Sequence, residues 1–247
     1  MLSLRWLCGE RYLQSEKEPM FKKIMNFWSE ERSLTTLLVL LAINMFVLEP
    51  VIREGAKVAF LRGVFSSLLR LAGLLTMTRH KTLKIVFAVF VTLTMMVHWT
   101  RIALDTRALM GWDAFLLLLS MLALMVIVLA QVNQKGPVTG HRVRGAVAGY
   151  LLLGMSCAYA YSLIDTLIPG SFQMSAADLQ SSQTRSDAFN YFSIVTLTTL
   201  GYGDITAAHP VARSVVMMEA LLGQLYPAIL IARLVTLQME ARKNKAA

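Results

Sequence analysis

Charged residues are scarce in this chain of 247 residues. Asp, Glu, Lys and Arg together make up 16% of the sequence, whereas hydrophobic residues make up 56%. A water-soluble domain carries about a quarter charged residues, so the composition argues against one. The apolar residues instead gather into stretches close to the ~20 residues that cross a bilayer. The composition therefore predicts an integral membrane protein with one transmembrane domain.

Cysteine and histidine are also few. Cys8 and Cys157 have no metal-ligand spacing and form no disulfide framework. The four histidines are scattered, and no nucleophile and base stand at a spacing that indicates catalysis. We therefore expect neither an enzyme, nor a cofactor, nor a small-molecule substrate. The net charge of +9 does not predict a nucleic-acid partner, because the basic residues flank apolar stretches instead of forming one patch.

Long apolar runs predict an all-α fold with six transmembrane helices. The second run is the weakest, because it contains Arg62 and Arg70. Arg70 is expected either to extend its charge to the cytoplasmic side or to pair with an acid such as Asp113. The predicted spans are Leu34–Ile52, Val58–Met77, Thr82–Trp99, Trp112–Val132, Gly145–Leu167 and Val211–Leu237.

The basic residues also predict the orientation. With six spans, the side that holds both termini has more than twice as many Lys and Arg residues as the other. Both termini are therefore expected in the cytoplasm. Before the first span, Met20–Trp28 alternates basic and bulky apolar residues. This segment is expected either to lie on the membrane surface as an amphipathic helix or to be a frayed tail.

A short apolar segment between the last two spans precedes a glycine-containing motif. The polar stretch 169–187 reads as a solvated loop, and 187–198 as a helix too short to cross the membrane. Irregular backbone after such a re-entrant helix is tolerated only where it lines a cavity or is buried in protein. The motif, Thr196–Asp204, reads TLTTLGYGD.

This motif resembles the selectivity filter of potassium channels, Thr-(Val/Ile/Leu)-Gly-Tyr-Gly followed by Asp. The resemblance implies that Thr199, Leu200, Gly201, Tyr202 and Gly203 (the filter segment) line the ion path. It also implies K⁺ sites at the first four of them, built from carbonyl rings of four identical chains. Alternating backbone hands are expected, with positive φ at the two glycines. The tyrosine is expected to point away from the axis and pack against the re-entrant helix.

Residues around the filter segment receive roles from the same resemblance or from their own chemistry. Asp204 is expected at the outer mouth, where it attracts cations. Val195 stands where some members of the family have a glutamate behind the filter. In the sixth span, Gly223 is expected to be either a hinge or a helix-packing contact, and Pro227 to bend the helix. Glu219, an acid within a span, is expected to hydrogen-bond the back of the re-entrant helix or to tune a gate.

The first four spans resemble a voltage-sensor bundle in number but not in charge. Voltage-gated relatives carry a basic residue at every third position of the fourth span, whereas Trp112–Val132 has none. Because little charge is available to move through the membrane field, steep voltage gating is not expected.

The sequence therefore predicts a homotetrameric, passive K⁺-selective channel surrounded by lipid. Its expected location is the plasma membrane, specifically a bacterial inner membrane. The alternatives are a non-selective cation channel and a membrane scaffold or sensor with a non-conducting pore. A potassium-coupled symporter fits less well, because such proteins carry four pore loops in one chain. The predicted segments are an N-terminal region (1–33), a four-helix bundle (34–132), a cytoplasmic linker (133–144), a pore domain (145–238) and a basic tail (239–247).

Overall fold

Helices make up most of the chain in the computed structural model, which describes residues 34–48, 56–76, 81–104, 107–133, 140–177, 179 and 182–246. Helix α1 covers 34–48, and its last five residues, Asn44–Leu48, are a π-helix. The other elements are α2 (Ala56–Thr76), α3 (Lys81–Leu104), α4 (Arg107–Val132), α5 (Gly140–Leu167), β1 (Phe172–Gln173), α6 (Ser182–Leu197), β2 (Thr206–Ala207) and α7 (Pro210–Ala246). The expectations for 1–33, including the amphipathic segment Met20–Trp28, lie outside the described residues.

Four of the described helices are long and apolar enough to cross a membrane. The candidate spans are Ile85–Ala103, Leu109–Val132, Arg142–Leu167 and Pro210–Arg233. In α1 and α2 the apolar parts are shorter, Leu34–Val47 and Gly63–Leu74. A mostly helical chain with four such helices agrees with an all-α membrane protein. Six spans stay a prediction.

One apolar core joins the N-terminal helices to α5. Its fully buried members include Leu37 of α1, Met121 of α4 and Leu152 of α5. Residues of α2, among them Leu69, complete it. The α4 and α5 helices pack along each other because each presents a continuous apolar face to the other. The predicted bundle and pore domain therefore share a core within one chain.

A second core holds the helix α6 between α5 and α7. Its centre is a group of aromatic rings. The ring centroid of Phe172 in β1 lies 5.3 Å from that of Tyr161, 5.0 Å from that of Phe189 and 5.9 Å from that of Phe192. Strands β1 and β2 pair antiparallel, with Phe172 opposite Ala207. This pairing ties the loop before α6 to the residues after the filter segment. It therefore holds together the two ends of the region that contains α6 and the filter segment.

Three helices extend beyond the predicted helical segments. Helix α5 begins at Gly140, so the last residues of the predicted linker 133–144 are helical. Helix α6 begins at Ser182, within the predicted loop 169–187, where Arg185 Nη1 lies 3.1 Å from Asp165 Oδ2 of α5. Helix α7 continues to Ala246, so the predicted tail 239–247 is helical up to that residue. Polar composition was read as a loop at 169–187, although Arg and Gln are good helix formers.

Arg70 lies inside the N-terminal bundle. Its side chain is 1% exposed, and it donates hydrogen bonds to Thr94 Oγ1 at 3.2 Å and to Ser66 Oγ at 2.7 Å. The expectation that its charge reaches the cytoplasmic side is therefore wrong. The other expected partner, Asp113, lies 2.6 Å from Arg101 Nε and 3.0 Å from His98 Nδ1, and among the described residues its charge acts on the Arg70 guanidinium without a direct ion pair.

Candidate functional site

The filter segment alternates between two backbone conformations. Gly201 and Gly203 have φ values of 58° and 79°, and Thr199 has a φ value of 58°. Positive φ at every second residue turns successive peptide units so that their carbonyls can point to the same side. The prediction for the two glycines is confirmed, whereas positive φ at Thr199 was not predicted by name. A β-branched residue rarely adopts positive φ, and such strain clusters at functional sites.

Backbone hydrogen bonds fasten the start of the filter segment to the end of α6. The N–H groups of Leu200 and Gly201 donate to the carbonyl oxygen of Val195, at 2.9 Å and 3.4 Å. The N–H of Thr199 donates to Thr196 at 2.9 Å. Amides that point back at the helix leave the opposite side of the strand free for its carbonyl oxygens. At position 195, the backbone carbonyl makes this contact, and the apolar side chain is buried.

The filter segment is open on one side in the single chain. Leu200 and Tyr202 are 55% and 67% exposed. A Cβ atom built on Gly201 or Gly203 would have no other atom within 4 Å. Most of the Tyr202 ring is uncovered within one chain, so its expected packing against the re-entrant helix stays a prediction. One chain by itself does not enclose this segment.

Asp204 follows the filter segment and is held by two donors. Its Oδ1 accepts the N–H of Ile205 at 3.1 Å, and the hydroxyl of Tyr191 hydrogen-bonds the same carboxylate. This hydrogen bond raises the pKa of Tyr191 above its ordinary value. The two neighbouring aromatic residues therefore have different contacts, since Phe192 is buried in the second core and Tyr191 reaches Asp204.

Glu219 connects α7 to the back of α6. Its side chain is fully buried, accepts the hydroxyl of Tyr161 on α5, and has Oε1 2.5 Å from Ser193 Oγ on α6. The prediction that this acid bonds the re-entrant helix is confirmed. Tyr161 and Ser193 were not anticipated, because residues 58 and 26 positions away from Glu219 meet it only through the packing of three helices.

Gly223 lies against the last turn of α6. A Cβ atom built on it would lie 2.2 Å from the carbonyl oxygen of Leu197. The Tyr150 hydroxyl also donates to this carbonyl, at 3.0 Å. The geometry favours close packing as the role of Gly223, and α7 is helical through both this residue and Pro227. The hinge at Gly223 and the bend at Pro227 stay predictions.

Comparison with known proteins supports the interpretation of residues 149–240 as part of an ion channel. Residues 149–240 match a family model described as an ion channel. The matched range includes most of α5, all of α6, the filter segment and α7 as far as Glu240. The match supports an ion channel family, and such a family suggests a multi-pass membrane protein that transports ions instead of an enzyme. No curated protein and no solved structure matches the chain.

Proposed function

We propose that four copies of this chain form a passive K⁺-selective channel. The observation that carries the proposal is the alternation of positive φ along Thr199, Gly201 and Gly203, on a strand that is open on one side. Such a strand supplies one column of carbonyl oxygens. Four columns around an axis can replace the water shell of a K⁺ ion, with sites at the level of Thr199 to Tyr202.

The surroundings of the filter segment favour a cation. The C-terminal end of α6 carries partial negative charge from its helix dipole, just before Thr199. Asp204 adds a carboxylate at the opposite end of the segment. A permeating ion would therefore meet negative charge at the outer mouth, carbonyl oxygens along the strand and a helix C-terminus below them.

The exposure of α7 supports assembly into a homotetramer. In the candidate span Pro210–Arg233 of α7, only 11% of its most apolar 18-residue stretch is buried within one chain. The corresponding value for Arg142–Leu167 of α5 is 56%. In a tetramer, one face of α7 would line the inner cavity and another would contact the neighbouring chain. The exposed faces of α3 and α4 would contact lipid.

The proposed location is the plasma membrane of a bacterium, with both termini in the cytoplasm. The uneven distribution of Lys and Arg supports this orientation. Reporter fusions at the two termini test it, because a cytoplasmic reporter and a periplasmic reporter are active on opposite sides of the membrane. Periplasmic activity at either terminus would contradict the proposal.

Uptake of radioactive Rb⁺ into liposomes that contain the purified protein tests the proposed function. We expect uptake that external K⁺ competes with and Na⁺ does not, together with a tetrameric mass by native mass spectrometry. Gly201→Ala should abolish uptake, because a Cβ at positive φ costs roughly 1–2 kcal/mol and distorts the carbonyl column. Gly170→Ala is the matched control, since Gly170 has a φ of 82°, open space around its Cβ position and a place outside the filter segment.

Two results would overturn this proposal. Competition by Na⁺ as strong as that by K⁺ would indicate a non-selective cation channel. A tetramer that transports no Rb⁺ at any membrane potential would indicate a scaffold or sensor with a non-conducting pore.

A further inference from the structure

Around Glu219, more oxygen atoms require a hydrogen-bond donor than the neighbouring hydroxyl groups can supply. Ser193 Oγ lies 2.5 Å from Glu219 Oε1 and 2.7 Å from the carbonyl oxygen of Gly154. A serine hydroxyl has one proton, a carbonyl oxygen has none, and an ionised carboxylate has none. If Glu219 were ionised, one of the two short contacts of Ser193 would join two oxygens without a hydrogen between them.

A proton on Glu219 resolves this count. Oε1–H then donates to Ser193, Ser193 donates to Gly154, and the Tyr161 hydroxyl donates to Oε2. Each short oxygen–oxygen contact in this series of hydrogen bonds then has one donor and one acceptor. We propose that Glu219 is held as a neutral carboxylic acid, and that in this form it positions α6 and, through it, the filter segment.

The surroundings of the carboxyl agree with a neutral acid. Glu219 is 0% exposed, and burial without a partner of opposite charge disfavours the ionised form. The titratable groups that face it from α5 are the hydroxyls of Tyr161 and Tyr150 and the thiol of Cys157. From α6 the facing group is the hydroxyl of Ser193. Among these contacts in the described part of the chain, none is a cation.

The position of Ser193 explains how the acid acts on the filter segment. Val195, two residues further along the same helix, accepts the N–H groups of Leu200 and Gly201. One turn beyond Glu219, Gly223 packs on the carbonyl of Leu197. The helix α7 therefore holds α6 at two successive turns, and loss of the Glu219 contact leaves only one of them. Glu219 is a positioning residue, because it touches no part of the ion path.

Infrared spectroscopy of the lipid-embedded protein tests the protonation state. At neutral pH we expect the C=O stretching band of a protonated carboxylic acid, which Glu219→Gln should remove. Tyr161→Phe is the matched control, since it deletes one hydrogen bond and keeps the acid, so the band should shift but persist. An identical spectrum for the wild-type protein and Glu219→Gln in this region would show an ionised carboxylate and overturn the proposal.

Rb⁺ uptake tests the positioning role, which rests on the proposed function. A glutamine amide can donate to Ser193 and accept from Tyr161, so Glu219→Gln should retain at least half of the wild-type rate and its preference for K⁺ over Na⁺. Glu219→Ala leaves the Tyr161 hydroxyl without its acceptor and Ser193 Oγ without its donor, and should reduce uptake about ten-fold. A tetrameric Glu219→Gln protein that does not conduct would show that the charge is required, against the proposal. Failure of the wild-type protein to transport Rb⁺ would contradict the proposed function, while the infrared band still decides the protonation state.

Discussion

Gly223 faces the carbonyl oxygen of Leu197 so closely that a Cβ atom on the glycine would lie 2.2 Å from that oxygen. The oxygen belongs to backbone at the end of α6, so it cannot rotate away as a side chain could. Helix α7 therefore has no room for any side chain at position 223 in this arrangement of the two helices.

The first prediction concerns this contact. Gly223→Ala should force α7 away from α6 and destabilise the assembled protein by about 1–3 kcal/mol, the usual cost of overpacking. It should also lower Rb⁺ uptake, because the end of α6 carries the filter segment. The measurement is the unfolding midpoint in mixed micelles. Gly140→Ala serves as control, since nothing lies within 4 Å of its Cβ position, and equal midpoints for the two variants would refute the close contact.

The second prediction concerns the buried guanidinium of Arg70. Thr94→Val removes the acceptor of its Nη1 donor and leaves a charged group with an unmet hydrogen bond, at a cost of about 1–3 kcal/mol. Thr92→Val is the matched control, because the Thr92 hydroxyl is exposed and bonds only the carbonyl of Ala88 in its own helix. Unfolding in mixed micelles should separate the two variants, and a Thr94 variant as stable as the Thr92 variant would argue against the bond.

The third prediction concerns the pH response of Tyr191. Its hydrogen bond to Asp204 raises its pKa above the ordinary value of 10.0. The bond therefore contributes stability at pH values below 10, and this contribution is lost as the pH rises through the raised pKa. In the ultraviolet difference spectrum between the wild-type protein and Tyr191→Phe, the tyrosinate signal should appear only above pH 10. Ionisation at or below the ordinary value would mean that the hydroxyl does not bond Asp204.

The fourth prediction concerns membrane voltage. Moving one charge across the membrane yields about 2.3 kcal/mol per 100 mV, and α4 has no basic residue after Arg107 at its start. Currents in planar bilayers with equal K⁺ on both sides should change with voltage only in proportion to the driving force. A steep rise in open probability over a narrow voltage range would show that charges of other helices, such as Arg70 or Arg101, move through the field.

Much of the fold could be anticipated from hydrophobicity alone. Apolar stretches of near-membrane length predicted the positions of the helices, because lipid requires long apolar segments with satisfied backbone groups. The motif Thr196–Asp204 and its two glycines predicted the alternating backbone of the filter segment. The polar starts of α5 and α6 and the polar end of α7 were missed, since helical continuation there depends on packing and ion pairs such as Asp165–Arg185.

The sequence by itself predicted a membrane channel and the location of the filter segment. Both predictions depend only on local composition and on one contiguous motif. Only the tertiary structure decided the partners of the isolated polar groups. Arg70 bonds Ser66 and Thr94 instead of Asp113, and Glu219 meets Ser193 and Tyr161. These contacts join separate helices, and the rotation of each helix about its axis sets which side chains meet. That rotation follows from the packing of the whole apolar core, which no local pattern contains.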